Sequence, residues 1–570
     1  MPSEVSTMRI PLEADVAVIG GGLGGIAAAL AAADAGASVI LTVEEPMIGG
    51  QVTAQLTSPL DEHPVVESAG VTARYRRFRN LVRAASGGVD NPGGGWVSRL
   101  CFEPLVGLRV LEEMLRAHTA AGRIRIVRNA RPMAATDPAG RAAHSGASIH
   151  SVRLRLEAGP DLQVHARVFV DATELGGLLP LTGTRWVIGS EGSDAFDETD
   201  AAPGAADPLA EQSCTWAAIL VREAESQPVG EAPPGYALLR DAQPFSLDLA
   251  GAEPGTIARY RVFTTGPTGL PSFWAYRRIR SAKSPEQSEA AVINWAGNDY
   301  RGSGLVGDPA TAGPAARALT LAFVHWLRTE VSRDPADGPG PFGTGLGYPE
   351  LRFAPELSGT ADGLAAAPYV RESRRLANPR PITAADLLPA TPDDRIGATL
   401  DNPSAGDPIG SAAAGLIANS ATGATTRPAP EIADSVGIAW YHADLHPRVG
   451  HPRSVYRTTA PFQLPAGALV PAAGIGPENL VMGAKNLAAT QVAAAAWRVH
   501  PAEWAIGEAA GTLAAAGARL SMSPRRIIGD PALLAGVQSD LLAAGAPLSW
   551  RSTVSFYPEP APTQTEIQHV

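Results

Sequence analysis

DVAVIGGGLGGIAAALAAADAG, Asp15 to Gly36, reads as one strand, one glycine turn and one helix. Val16, Val18 and Ile19 make a short apolar run suited to a buried parallel strand. Gly20, Gly22 and Gly25 follow at G-x-G-x-x-G spacing. In such a turn the first glycine permits the tight bend, the second lets the backbone approach a pyrophosphate, and the third lets the helix pack closely on the strand. The helix start adds unpaired N–H groups and the positive end of the dipole. Ala27 to Ala33 is strong helix-forming sequence, and a second apolar run, Ser38 to Val43, leads to Glu44 and Glu45. A carboxylate at that distance suits a ribose hydroxyl, and an acid there argues against a 2′-phosphate. The pattern predicts a dinucleotide site built on Gly20, Gly22, Leu23, Gly24, Gly25, Glu44 and Glu45.

Composition bounds the partners. A chain of 570 residues exceeds one ordinary core, so two or more domains are expected. A net charge of -11, with no Lys/Arg cluster, offers no footprint for nucleic acid or an anionic membrane. Small molecules are the expected partners, with a homo-oligomer left open. Two cysteines far apart, Cys101 and Cys214, supply neither a disulfide framework nor an iron–sulfur site. The opening MPSEVSTMRIPLEAD lacks a basic segment followed by an apolar core, and Ile26 to Ala33 is too short to span a bilayer. These features predict a soluble cytoplasmic protein.

Further along, Gly49, Gly50 and Gln51 again bring backbone close to something, and Asp61-Glu62-His63-Pro64 follows. Here the chain resembles the bacterial FAD-dependent oxidoreductases of the glutathione-reductase-like superfold. The resemblance continues through NPGGGWVSRLCFEP, Asn91 to Pro104, and through Val170-Asp171-Ala172-Thr173, similar to the second FAD fingerprint. It is closest again in Asn479 to Ala515. It departs at Glu174, where glycine is usual, and at Gln491, where a histidine would be expected. The resemblance implies FAD as cofactor, held also by Gly49, Gly50, Gln51, Met133 beside adenine, Asp171, Ala172 and Asn486. It implies a loop beside the flavin after Leu480 to Met482, and a following helix aimed at the ring.

The implied architecture is α/β: a discontinuous Rossmann-like FAD-binding domain with an inserted mixed α+β substrate domain. Its expected parts are 13–185 and 426–525 for the FAD domain, 186–425 for the insert, and 526–570 for a C-terminal helix and tail. In the insert, Phe273 to Ile279 and Ile293 to Tyr300 are aromatic-rich, and Leu319, Ala322, Phe323, Trp326 and Leu327 recur at helical spacing, the pattern of a packed face.

Lys485, Arg498 and His500 are the expected catalytic residues. Arginine suits an anionic group, and histidine suits removal of a proton as hydride leaves. The alternative is that Arg498, His500 and Glu503 cap and brace the helix. Asp61 and Glu62 read as surface acids, and His63 as a hydrogen-bonded loop residue. His442 and His446 share a face only on a helix, which Pro447 opposes, so no metal site is expected. With no Cys-x4-Cys pair and no second nucleotide fingerprint, the expected reaction is dehydrogenation or oxidation of a small organic substrate by flavin. The alternatives are a monooxygenase with transiently bound NAD(P)H and, more remotely, a non-redox isomerisation.

Overall fold

Continuous apolar runs at the start of the chain form strands buried on both sides. In the computed structural model β1 (Pro11–Ile19) leads through the glycine turn to α1 (Leu23–Asp34), β2 (Val39–Thr42), α2 (Ala73–Ala85) and α3 (Pro104–Ala120). Then come β3 (Ile124–Val127), β4 (Ala130–Thr136), β5 (Ser151–Leu156) and β6 (Leu162–Asp171). The structure describes residues 11–144, 146–250, 257–266, 269–282, 287–340, 343–388 and 429–550. The insert boundary expected at 425 and the tail after Trp550 lie outside these.

The sheet runs β3-β2-β1-β6, all parallel, with Ile19 opposite both Thr42 and Asp171. This register brings the C-terminal ends of β1, β2 and β6 to one edge, beside the glycine turn. There a parallel α/β sheet holds its ligand. Apolar and polar residues alternate over Ser148–Glu157 and Asp161–Asp171, a pattern that predicts a hairpin, and these stretches form β5 against β6, antiparallel, with β4 beyond it.

The intervening chain builds a second, antiparallel sheet. Its strands are β7 (Ala218–Arg222), β8 (Arg278–Arg280), β9 (Glu289–Ile293) and β10 (Leu351–Phe353), in the order β8-β9-β7-β10. α4 (Pro309–Thr329) buries Leu319, Ala322, Phe323 and Leu327, the face foreseen from spacing. Trp295, Phe273, Tyr276 and Phe323 pack together in this second core, with Phe273 edge-on to Trp295 at 5.2 Å.

The chain then returns to the first sheet. β11 (Leu480–Met482) lies parallel to the last residues of β6, so that strand is shared by β5 along its first half and β11 along its last. After β11 the chain forms not one helix but two, α5 (Gln491–Trp497) and α6 (His500–Leu520). Pro501 explains the break: it lacks an N–H and clashes inside a helix, but fits the first turn. α7 (Pro531–Ala543) closes the described chain. Among the described residues no helix is long and apolar enough to cross a membrane.

α6 crosses α1 at backbone contact. A Cβ on Gly507 would lie 2.1 Å from the Gly24 carbonyl oxygen, and one on Gly511 would lie 2.2 Å from that of Ala28. α1 is buried almost all round, as expected of a helix without a polar face. Gly511→Ala gains about 1 kcal/mol of helix propensity, but the overpacking costs about 1–3 kcal/mol and involves backbone that cannot rotate away. The variant is expected to unfold at lower urea than the wild type; an unchanged or raised midpoint would show that the helices part without cost.

Candidate cofactor and active site

The glycine turn opens into a pocket lined by Gly20, Gly21, Gly22, Thr42, Glu44, Glu45, Ala130, Pro132, Ala172, Thr173 and Glu174. Gly20 has φ of +115°, and a Cβ there would sit 2.1 Å from the Ala172 carbonyl oxygen, so only glycine lets β1 turn against the end of β6. Its N–H donates to Thr42 Oγ1 at 3.2 Å. Gly25 packs against the Gly20 carbonyl, the close helix–strand contact that its place in the motif implies. Glu44 is half exposed and pairs with Arg131 at 3.3 Å.

The other expected contact residues have partners within the chain or lie off the pocket wall. Leu23 is fully buried in the core. The Gly24 N–H donates to Glu503 Oε1 at 3.2 Å, so a carboxylate of this chain already takes it. β4 gives the pocket Ala130 and Pro132, one pleat apart, whereas Met133 falls at an irregularity in the β4–β5 register. Asp171 is an organiser of its own turn. Its carboxylate accepts from Thr173 N at 3.1 Å, Thr173 Oγ1 at 2.7 Å and Leu178 N at 3.0 Å, and burial pushes its carboxyl up to about 6. Asn486 likewise braces backbone, donating to the Asp171 carbonyl at 3.0 Å and accepting from Ala484 N at 3.3 Å.

The Gly49–Gln51 loop reaches the same turn from the other side. Gly49 N donates to Gly21 O at 2.8 Å. Gln51 is fully buried; its Nε2 donates to the Arg498 carbonyl at 3.0 Å and to Glu503, while its Oε1 has no partner among the described residues. Lys485 Nζ donates to Glu174 Oε2 at 2.5 Å and Glu503 Oε2 at 3.1 Å. Burial opposes its charge, but the two carboxylates outweigh that and raise its pKa, so it is a fixed cation and not a base. The cleft between Gly22 and Gly50 admits an anionic oxygen: Glu174 Oε1 lies there, 2.6 and 2.5 Å from where their Cβ atoms would be. A cleft of this size between two glycine backbones, with the Lys485 ammonium beside it, has the room and the positive charge to fit the diphosphate of a dinucleotide.

His500 does not fit the role of proton acceptor. Its Nδ1 accepts from Asp61 N at 2.9 Å and its Nε2 donates to the Thr57 carbonyl at 2.9 Å. Both ring nitrogens are committed to backbone, and burial pushes the imidazole down to about 4. Arg498 instead joins a buried network. Its Nη1 donates to Tyr369 Oη at 2.9 Å and its Nη2 to Asp444 Oδ2 at 2.9 Å. Tyr369 Oη donates to Asp61 Oδ2 at 3.1 Å, and Arg277 pairs with Asp61 Oδ1 at 3.0 Å.

Asp61 and Glu62, read from sequence as surface acids, are both buried; Glu62 accepts from Tyr75 Oη at 2.6 Å and Arg79 Nε at 3.2 Å. Burial raises the Asp61 carboxyl, but Arg277 and other neighbouring charges pull it to about 2. Arg371 and Arg375 are internal ion pairs, to Asp299 at 3.0 Å and Glu191 at 2.7 Å. His446 lies between Asp299 at 2.7 Å and Asp444 at 3.2 Å. Tyr369, Asp444 and Arg277 carry no motif that a single sequence displays. His63 stacks on Trp440 at 3.9 Å, as a packed loop histidine.

Comparison with known proteins adds an independent view. The model of the family described as FAD dependent oxidoreductase matches residues 15–541. A stretch of 90 residues is 41% identical to a carotenoid phi-ring synthase of Streptomyces griseus, covering 16% of this chain and only 17% of that protein's length. Among solved structures, CabE, an aromatic hydroxylase from angucycline biosynthesis, is 17% identical over 50% of this chain and 45% of its own, with a TM-score of 0.25. The 3-ketosteroid-delta4-(5alpha)-dehydrogenase of Rhodococcus jostii RHA1 is 16% identical over 30% of this chain and 47% of its own, with a TM-score of 0.19.

Glu45 carries a titration signature of this pocket. Burial, then Glu174 and Glu44, push its carboxyl from an ordinary 4.5 up to about 7. An acid raised in the folded state costs stability only where the unfolded chain has ionised; the cost is absent at low pH, grows from about 4.5 to about 7 and is then constant. Glu45→Gln is expected to lose less thermal stability than the wild type between pH 4 and pH 8. Equal losses would place the cost on another group.

Proposed function

The chain belongs to the FAD-dependent oxidoreductase family, and from that premise we propose that it is a dehydrogenase or oxidase that takes a hydride and a proton from a small organic substrate. FAD supplies the hydride acceptor when bound. The residues assigned to its ADP half are those of the glycine turn, Glu44 and Glu45, Ala130 and Pro132, with Lys485 and the Gly22–Gly50 cleft at the diphosphate.

The observation that carries the reading is the Tyr369 hydroxyl, held between the guanidinium of Arg498 and the carboxylate of Asp61. A phenol so placed has one fixed proton and one fixed acceptor for it. In its phenolate form it takes the proton from the substrate, and Asp61 orients the hydroxyl that results. Burial pushes Tyr369 up to about 12, while Arg498 works in the opposite sense and eases formation of the phenolate. Asp61 stays ionised next to Arg277, so it holds the orientation of the phenol without taking its proton. The surrounding side chains exclude water, which strengthens each of these charge contacts.

The test starts with the absorption spectrum of purified protein, followed by anaerobic addition of alcohols, amines and enolisable ketones. Oxidised flavin bands that bleach with one of these alone support the reading. Bleaching that requires NAD(P)H would replace it with a monooxygenase. With a bleaching substrate in hand, Tyr369→Phe is expected to slow the reductive phase by about 10²-fold or more while retaining the flavin and the fold. A rate within threefold of wild type would remove Tyr369 from proton transfer.

A further inference from the structure

Glu174 stands where the second FAD fingerprint ordinarily has glycine, and its carboxylate fills the cleft between the two glycine turns. Oε1 lies within 2.6 Å of the Cβ positions of both Gly22 and Gly50, and those two backbones nearly touch behind it. That oxygen is buried and has no hydrogen-bond partner among the described residues. The side chain is held through its other oxygen, to Lys485 at 2.5 Å. A desolvated carboxylate oxygen without a donor is an unfavourable occupant, kept in place by one ion pair.

From this geometry we infer that Glu174 is an internal anion that competes with the cofactor's diphosphate for the Gly22–Gly50 cleft. The inference rests on the placement of FAD proposed above. Loading then exchanges one partner of Lys485 for another: Glu174 swings out, and the ammonium turns to phosphate while keeping Glu503.

Charge supports the exchange. Glu174, Glu44 and Glu45 line the pocket, and Glu503 lies behind it; the cations near them are Lys485, which faces Glu174 and Glu503, and Arg131, which is paired with Glu44. Arg374 is beside the same turn, donating to the Leu175 carbonyl at 2.8 Å, and Asp171 organises it from below. A diphosphate added to this set without release of Glu174 would share one pocket with three carboxylates, and like charges repel. Glu174 has a way out, because its side chain is 13% exposed at the pocket wall.

The experiment measures cofactor affinity and not turnover. Flavin-free protein is titrated with FAD at low ionic strength and pH 8, following flavin fluorescence, with ADP as a competitor and riboflavin as a probe lacking phosphate. Glu174→Gln and Glu174→Ala are each expected to bind FAD and ADP at least tenfold more tightly than wild type, with riboflavin affinity unchanged. Lys485→Met is expected to weaken FAD binding at least tenfold. Glu174 variants that fold, by circular dichroism and thermal midpoint, yet bind FAD no more tightly than wild type overturn the inference. A folded wild type that takes up no FAD overturns the cofactor placement itself, which separates the two failures.

Discussion

The contact on which the site depends is the crossing of α1 and α6, where two helices meet without side chains between them. Gly24 faces Gly507 and Ala28 faces Gly511 at backbone distance. This proximity lets the Glu503 carboxylate, one turn into α6, reach the Gly24 N–H at the start of α1. Glu503 in turn receives Gln51 and Lys485. Glycine turn, second loop and C-terminal loop are therefore set by one close crossing, and any side chain that spread the helices would displace all three together.

Around that crossing the protein buries several charged side chains, and it does so with opposite charges in contact. Arg277 meets Asp61, Arg371 meets Asp299, Arg498 meets Asp444, and Lys485 lies between Glu174 and Glu503. Such pairs add little net stability, because desolvation offsets the attraction, but losing one partner leaves a buried charge and costs about 3–5 kcal/mol. Their value here is positional. Each head group can occupy only the orientation its partner allows, so a phenol such as Tyr369 finds its donor and acceptor already in place.

What was legible in the sequence was local. The strand, glycine turn and alanine helix lie within 22 consecutive residues, and each residue type has a conformational reason visible in its neighbours. The packed face of the insert helix and the hairpin before Asp171 were legible for the same reason. The misreadings arose where the deciding partner is distant in sequence. Asp61 looked like a surface acid because Arg277 and Tyr369 lie more than 200 residues away. His500 looked like a base because the backbone groups of Thr57 and Asp61 that use both its nitrogens cannot be seen from its own segment. The irregularity in the β4–β5 register at Met133 is likewise something that no spacing reveals. Glu174 was visible as a departure from the family pattern, but not that its carboxylate would lie between two glycines.

The α1–α6 contact also bears on how the chain is made. Translation adds about 5–20 residues per second, and the sequence separation between Ala28 and Gly511 therefore corresponds to roughly 25–100 s of synthesis. For that interval α1, apolar on nearly every face, has no partner for the side that α6 will cover, and β6 lacks the strand that completes its C-terminal edge. The nucleotide motif is made well before α6, the helix that encloses it. A nascent chain of this protein thus carries an apolar helix with one side uncovered until α6 has been made.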